Sequence, residues 1–124
     1  MSNSGMSVPR ARKRPLEKTR QAEIIHALRL RGHFVEVNGV HKGGSTRRSG
    51  LGPGSPDLLV ILKGTGVALF LEVKRDEKEK PTTLQEIWHR RAQAAGITCE
   101  VVWSVAMAER AVEAAHSKSK KPQE

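Results

Sequence analysis

Residues 54–74 read Gly54-Ser55-Pro56-Asp57-Leu58-Leu59-Val60-Ile61-Leu62-Lys63-Gly64-Thr65-Gly66-Val67-Ala68-Leu69-Phe70-Leu71-Glu72-Val73-Lys74. Asp57 to Lys63 and Val67 to Lys74 are two apolar runs of strand length, and the Gly64-Thr65-Gly66 between them signals a hairpin. In the second run Val67, Leu69, Leu71 and Val73 point one way. Ala68, Phe70, Glu72 and Lys74 point the other, because side chains alternate along a strand. A charged pair embedded in so apolar a strand needs partners.

The elements outside the hairpin follow from spacing and punctuation. Upstream, Leu16, Ile24, Ile25 and Leu28 recur at helical spacing over 16–31, and Gly32 stops the helix. Phe34 to Val37 reads as a short strand. Asn38 to Pro56 is irregular, with six glycines and with His41, Lys42, Arg47 and Arg48. A loop this long in a small domain is usually functional or disordered. Downstream, Thr83 and Glu86 have the spacing of a capping box after Pro81. The helix they open runs to about Ala95, ends at Gly96, and presents Leu84, Ile87, Trp88, Arg91 and Ala95 on one face, with Arg91 at its rim. Ile97 to Trp103 is a further strand, and Ser104 caps a last helix, Val105 to His116. The order is α-β-β-β-α-β-α, without an internal repeat. Trp88 and Trp103 are expected to anchor the core.

The chain has 124 residues, enough for one domain with one core. Its 37% hydrophobic content with 11 glycines is that of a globular protein, which excludes full disorder. Twenty-two Lys and Arg against 13 Asp and Glu leave a net charge of +9, so the expected partner is a polyanion, most often nucleic acid. With 3% aromatics and no Tyr, a stacking platform for single strands is disfavoured. Cys99 stands alone, so an internal disulfide and a CxxC zinc finger are excluded. No apolar run has the length of a membrane span and the first twenty residues hold no secretory signal, so a soluble intracellular protein without a membrane partner is expected. Residues 1–15, with Arg10, Arg12, Lys13 and Arg14, read as a mobile basic arm. Residues 16–116 form the domain, and 117–124 read as a frayed basic tail.

Chemistry concentrates in Asp57, Glu72 and Lys74. Glu72 and Lys74 leave the same face of one strand, with Cα atoms about 6.7 Å apart at the usual rise. Asp57 opens the partner strand, about 4.8 Å away, and can approach Glu72 if that strand splays at its start. Two carboxylates with a backbone carbonyl make a hard oxygen site suited to Mg²⁺. An ammonium beside them can hold or help deprotonate a water. The alternative is bland: two solvent-facing charges on a half-exposed strand and a turn aspartate. The five dispersed histidines show no convincing ligand spacing.

In combination, Pro56-Asp57, Glu72-x-Lys74 and Gln85-x-x-Trp88 resemble the PD-(D/E)xK nuclease superfamily. More closely, the stretch from about Leu16 to Ser104 resembles the VRR-NUC (virus-type replication-repair nuclease) domain. The matching features are Glu17-x-x-x-Gln21, Val37-Asn38, the glycine- and arginine-rich 39–55 loop, Gly54-Ser55-Pro56-Asp57, Leu71-Glu72-Val73-Lys74, Gln85, Gly96 and Val101-Val102. The resemblance implies a restriction-endonuclease-like α/β core, a mixed sheet flanked by helices. It implies that Asp57, Glu72 and the carbonyl of Val73 bind Mg²⁺, with Mn²⁺ as a substitute. It implies that Lys74 positions the attacking water and that Gln85 orients Lys74 or the water. Glu17 would reach the site from the first helix, holding the metal through water or a second ion; Glu23, about one and a half turns later, is the runner-up.

The function expected on this basis is a Mg²⁺-dependent DNA endonuclease. Stand-alone members of the family suggest branched DNA, such as four-way (Holliday) junctions, and a role in repair or recombination. Symmetric cutting of two strands needs two sites, so a homodimer is expected. Lys42, Arg47 and Arg48 with the basic arm are the candidates for DNA contact. The rival readings are a non-catalytic DNA-binding module on the same scaffold and a flap, nicking or restriction-like nuclease.

Overall fold

A computed structural model of the chain describes residues 16–39 and 50–119. The expected basic arm, residues 40–49 of the loop and residues 120–124 of the tail lie outside the described residues, and so do Arg10, Arg12, Lys13, Arg14, Lys42, Arg47 and Arg48. The elements are helix α1 (Glu17–Leu30), strands β1 (Phe34–Val37), β2 (Leu58–Ile61) and β3 (Ala68–Val73), helix α2 (Thr83–Ala94), strand β4 (Thr98–Val102) and helix α3 (Val105–Ser119). Their order is the one expected from the sequence.

The hairpin sets the sheet. The Leu62 N–H donates to the Val67 carbonyl at 2.8 Å, and Gly64 and Gly66 turn the chain with φ of 81° and 71°. Only glycine enters that region without strain. The resulting register pairs Leu58 with Leu71 and Val60 with Leu69. β1 adds antiparallel to β2, and β4 adds parallel to β3, giving a mixed sheet in the order β1-β2-β3-β4. A parallel partner needs a crossover, and α2 supplies it.

The two faces differ in kind. Val35, Leu58, Val60, Leu69, Leu71, Val73 and Val102 pack with Ile24 and Leu28 of α1 and Ala108, Val112 and Ala115 of α3 into one buried cluster. This face is purely apolar and holds the domain together through the hydrophobic effect. The opposite face carries Phe70, Glu72 and Lys74 and is covered by α2, with Trp88 edge-on to Phe70 at 5.4 Å between ring centroids.

Several boundaries differ from the sequence expectation. Leu16 lies before α1 and is exposed. α3 continues past His116 to Ser119, so the last described residues are helical rather than frayed. The capping box of α2 forms one residue early: the Thr82 hydroxyl accepts the Gln85 N–H at 3.1 Å and Gln85 Oε1 accepts the Thr82 N–H at 2.8 Å. Thr82-x-x-Gln85 and Thr83-x-x-Glu86 both fit the pattern, and the sheet beneath chooses between them.

That shift also moves the buried face of α2. Leu84 is 56% and Ile87 41% exposed, and Arg91 and Ala95 are exposed too. The side turned to the sheet carries Gln85, Trp88 and Ala92 instead. The reason is electrostatic: the strand face below presents Glu72 and Lys74, which need polar partners more than apolar cover. Trp88 and Trp103 are half-buried rather than fully buried anchors.

Cys99 is buried on β4, and burial, with the nearby charges of Glu72 and Glu100, pushes its thiol up to about 12. The thiolate is the reactive form. Cys99 should resist a thiol-alkylating reagent at mildly alkaline pH in the native protein and react fully in denaturant. Rapid native labelling, read by mass spectrometry, would contradict this packing.

Candidate active site

The end of the β2–β3 ladder is where the site forms, and Pro56 determines how. Leu62 and Val67 form a hydrogen-bonded pair, so by alternation the pairs Val60–Leu69, Leu58–Leu71 and next 56–73 are of the same type. At that last pair stands Pro56, which has no N–H for the Val73 carbonyl. The ladder breaks there. The Val73 N–H turns to Asp57 and donates to its carboxylate (Oδ2) at 2.7 Å. A carboxylate has taken the position of a strand carbonyl, and the Val73 carbonyl is left without its ladder donor.

Extending the same register places Asp57 opposite Glu72, on the face covered by α2. The two carboxyls lie close enough for each to shift the other's titration. Glu72 is 1% and Lys74 3% exposed. Lys74 Nζ donates to Gln85 Oε1 at 2.8 Å and lies 3.5 Å from Glu72 Oε2. Gln85 Nε2 donates to the same Glu72 oxygen at 2.7 Å. Gln85 thus clamps both charges with one amide, and its own capping bond fixes that amide in place.

One atom of this cluster is not satisfied. Glu72 Oε1 is buried and has no hydrogen-bond donor. Burial, then the charge of Asp57, push the Glu72 carboxyl up to about 8. Burial raises the Asp57 carboxyl as well, against the lowering effect of the Val73 N–H. Two facing carboxyls that resist joint ionisation, with one oxygen lacking any donor, fit a cation. Among the described residues no group of three or more His, Cys, Asp or Glu is gathered to hold a metal on side chains alone. Asp57, Glu72 and the Val73 carbonyl are hard oxygens that could hold Mg²⁺ or Mn²⁺.

Glu17 approaches from the first turn of α1. Burial, a hydrogen bond to Glu79 and the charge of Asp57 push its carboxyl up to about 7. Burial opposes ionisation of Glu79, but the bonds from Glu17 and from the Arg75 N–H at 2.8 Å outweigh it and keep that carboxyl low. Glu23 faces elsewhere, 3.5 Å from Arg20 on the surface. Of the two helix acids, Glu17 is the one beside the site.

A scan against protein-family models finds no match, and a search of curated proteins finds no significant one. A search of solved structures finds one described as "VRR_NUC domain", with 33% sequence identity and a TM-score of 0.60 over 78% of this chain and 94% of that one. The chain belongs to the VRR-NUC family. It is a nuclease-family domain, and its mixed four-stranded sheet flanked by helices is the VRR-NUC fold. No helix among its described residues is long and apolar enough to cross a membrane.

Sequence reading missed parts of this VRR-NUC site. Glu79 joins the site through Glu17, 62 positions away, and nothing in the charged run from Arg75 to Lys80 singles it out. Arg20 Nε ties the same turn to α1 through the Arg75 carbonyl at 3.2 Å. Gly54 was legible only as part of Gly54-x-Pro56-Asp57. Its φ is 82°, and an added Cβ would lie 2.3 Å from the Leu84 carbonyl oxygen, so the turn before Asp57 presses directly on the backbone that carries Gln85.

Two substitutions test this geometry. Pro56→Ala restores an N–H opposite the Val73 carbonyl, and a hydrogen bond of about 1 kcal/mol should weaken Mn²⁺ binding about fivefold; unchanged calorimetric affinity would contradict the freed carbonyl. Gly54→Ala should cost about 1–3 kcal/mol in urea unfolding, since neither backbone can yield freely; a neutral effect would mean that the contact is loose.

Proposed function

We propose that this VRR-NUC domain is a Mg²⁺-dependent endonuclease that hydrolyses DNA phosphodiester bonds, with Mn²⁺ able to substitute. The observation that carries this reading is the buried Glu72–Lys74 pair beside Asp57, with Glu72 Oε1 lacking a donor. A scaffold kept only for binding gains nothing from it. Replacing a buried ion pair by well-packed apolar side chains is often neutral or stabilising by about 1–4 kcal/mol.

Phosphodiester hydrolysis needs a nucleophilic water and compensation for charge on the phosphoryl oxygens. A bound divalent cation supplies both by acidifying water and polarising the phosphate. Asp57, Glu72 and the Val73 carbonyl would hold the cation. Gln85 accepts one N–H of Lys74 and Glu72 pairs with the ammonium at 3.5 Å, which fixes it to meet the attacking water or a phosphate oxygen with another of its three donors. Gln85 acts through Lys74 and Glu72, keeping both at fixed angles. Glu79 supplies further negative charge at the rim, and Glu17, once ionised, would serve the cation through water or hold a second one.

The substrate is DNA, branched as in four-way junctions, and the active form is a homodimer that brings one site to each of two strands. Attraction to the backbone comes from the +9 net charge, with Lys42, Arg47 and Arg48 and the arm residues Arg10, Arg12, Lys13 and Arg14 in contact with phosphates.

The test is cleavage of linear, nicked, flap and four-way substrates in Mg²⁺, Mn²⁺ and EDTA. Lys74→Ala should lower the rate about 10²–10⁴-fold, as for loss of a positioned proton-handling group. Asp57→Ala should abolish cleavage while DNA binding persists. Cleavage that survives both substitutions would reject the site, and binding without cleavage in the wild type would favour the non-catalytic module. Deleting residues 1–14 should flatten the salt dependence of binding by about 0.9 per lost phosphate contact and spare the chemical step; an unchanged slope would exclude the arm from the interface.

A further inference from the structure

The ladder break at Pro56 creates a second problem, and Asn38 answers it. Once the Val73 N–H has turned to Asp57, the Pro56 carbonyl has lost the donor that an ordinary antiparallel pair would give it. Pro56 is buried, and its carbonyl takes a protein donor instead. Asn38, the residue after β1, donates from Nδ2 to the Pro56 carbonyl at 2.7 Å and to Ser55 Oγ at 2.8 Å. Its Oδ1 accepts the Leu51 N–H at 3.0 Å, and its backbone N–H donates to the Asp57 carbonyl at 2.8 Å. Gly50 comes so close that an added Cβ would lie 2.5 Å from Asn38 Oδ1. The Asn38 side chain thus ties Leu51 to the two residues preceding Asp57, and its backbone holds Asp57 itself.

Two hydrogen-bond arrangements compete for the Val73 N–H. In one it donates to the Pro56 carbonyl, the one bond of the 56–73 pair that proline leaves possible; in the other it donates to Asp57. By occupying the Pro56 carbonyl, Asn38 favours the second. We propose that Asn38 is a positioning residue for the cation site: it holds Pro56 away from Val73, so that Asp57 stays anchored beside Glu72 and the Val73 carbonyl stays open. This rests on the reading of Asp57, Glu72 and Val73 as the cation ligands, and it adds a residue that acts on them through Pro56.

The test is Mn²⁺ calorimetry on the full, DNA-free chain, with junction cleavage measured in parallel. Asn38→Ala should bind Mn²⁺ about 10- to 100-fold more weakly, the usual cost of removing a group that orients a metal ligand. At limiting Mg²⁺ its kcat should fall with the affinity, high Mg²⁺ should restore it, and KM for DNA should stay within about twofold of wild type. Asn38→Ser, whose single short hydroxyl cannot reach the Pro56 carbonyl and the Leu51 amide together, serves if the alanine variant does not fold and should lie between the two. A folded Asn38 variant with wild-type Mn²⁺ affinity, or a loss confined to KM or to thermal stability, would overturn the proposal. If the wild type binds Mn²⁺ and Asn38→Ala weakens it but no substrate is cut, the nuclease reading fails and the role of Asn38 stands. If the wild type cleaves and the variants match it, the reverse holds.

Discussion

A hydrogen bond from the Val73 N–H to the Asp57 carboxylate, 2.7 Å long, stands where a strand-to-strand bond would otherwise be. It exists because Pro56 cannot continue the ladder, and the site depends on the exchange. A strand pair that zipped to its end would satisfy its own backbone and leave no oxygen for a cation. Here the ladder is intact up to Leu58–Leu71 and broken one hydrogen-bonded pair later. The Val73 N–H takes Asp57 and the Pro56 carbonyl takes Asn38, while proline leaves the Val73 carbonyl without the N–H a continued ladder would supply.

The two faces of the sheet divide the work. The apolar face, packed by α1 and α3, supplies the burial that a domain of this size needs to be stable. That allows the α2 face to carry Glu72 and Lys74 at almost no exposure, a pair that contributes little to stability by itself. Gln85 makes the arrangement specific, since its amide can serve a carboxylate and an ammonium at once. An apolar residue at 85 would leave both charges buried and incompletely paired.

How far the sequence revealed this varies with the kind of signal. The hairpin, the Gly32 and Gly96 stops and the Ser104 cap were legible because each is a local event with its own residue chemistry. Asp57, Glu72 and Lys74 could be singled out because the strands around them were legible, whereas Gln85 was singled out only through the family resemblance. The buried face of α2 was misread, since hydrophobic periodicity finds the apolar side of a helix, whereas this helix turns its polar side to a charged strand. The position of its capping box was ambiguous for a simpler reason: two overlapping Thr-x-x-(Gln/Glu) patterns differ only in what lies beneath them. Glu79 and Arg20 were invisible because their partners are distant in sequence. The distinction between Glu17 and Glu23 needed the helix to be seated on the sheet.

The central claim is that the splayed end of the β2–β3 pair is a cation site. It is tested most directly by anomalous diffraction from crystals grown or soaked with Mn²⁺. The account predicts an anomalous peak coordinated by Asp57, Glu72 and the carbonyl oxygen of Val73. A map in which Mn²⁺ binds elsewhere, or in which Val73 carbonyl takes a protein N–H while the two carboxyls share only a proton, would contradict it.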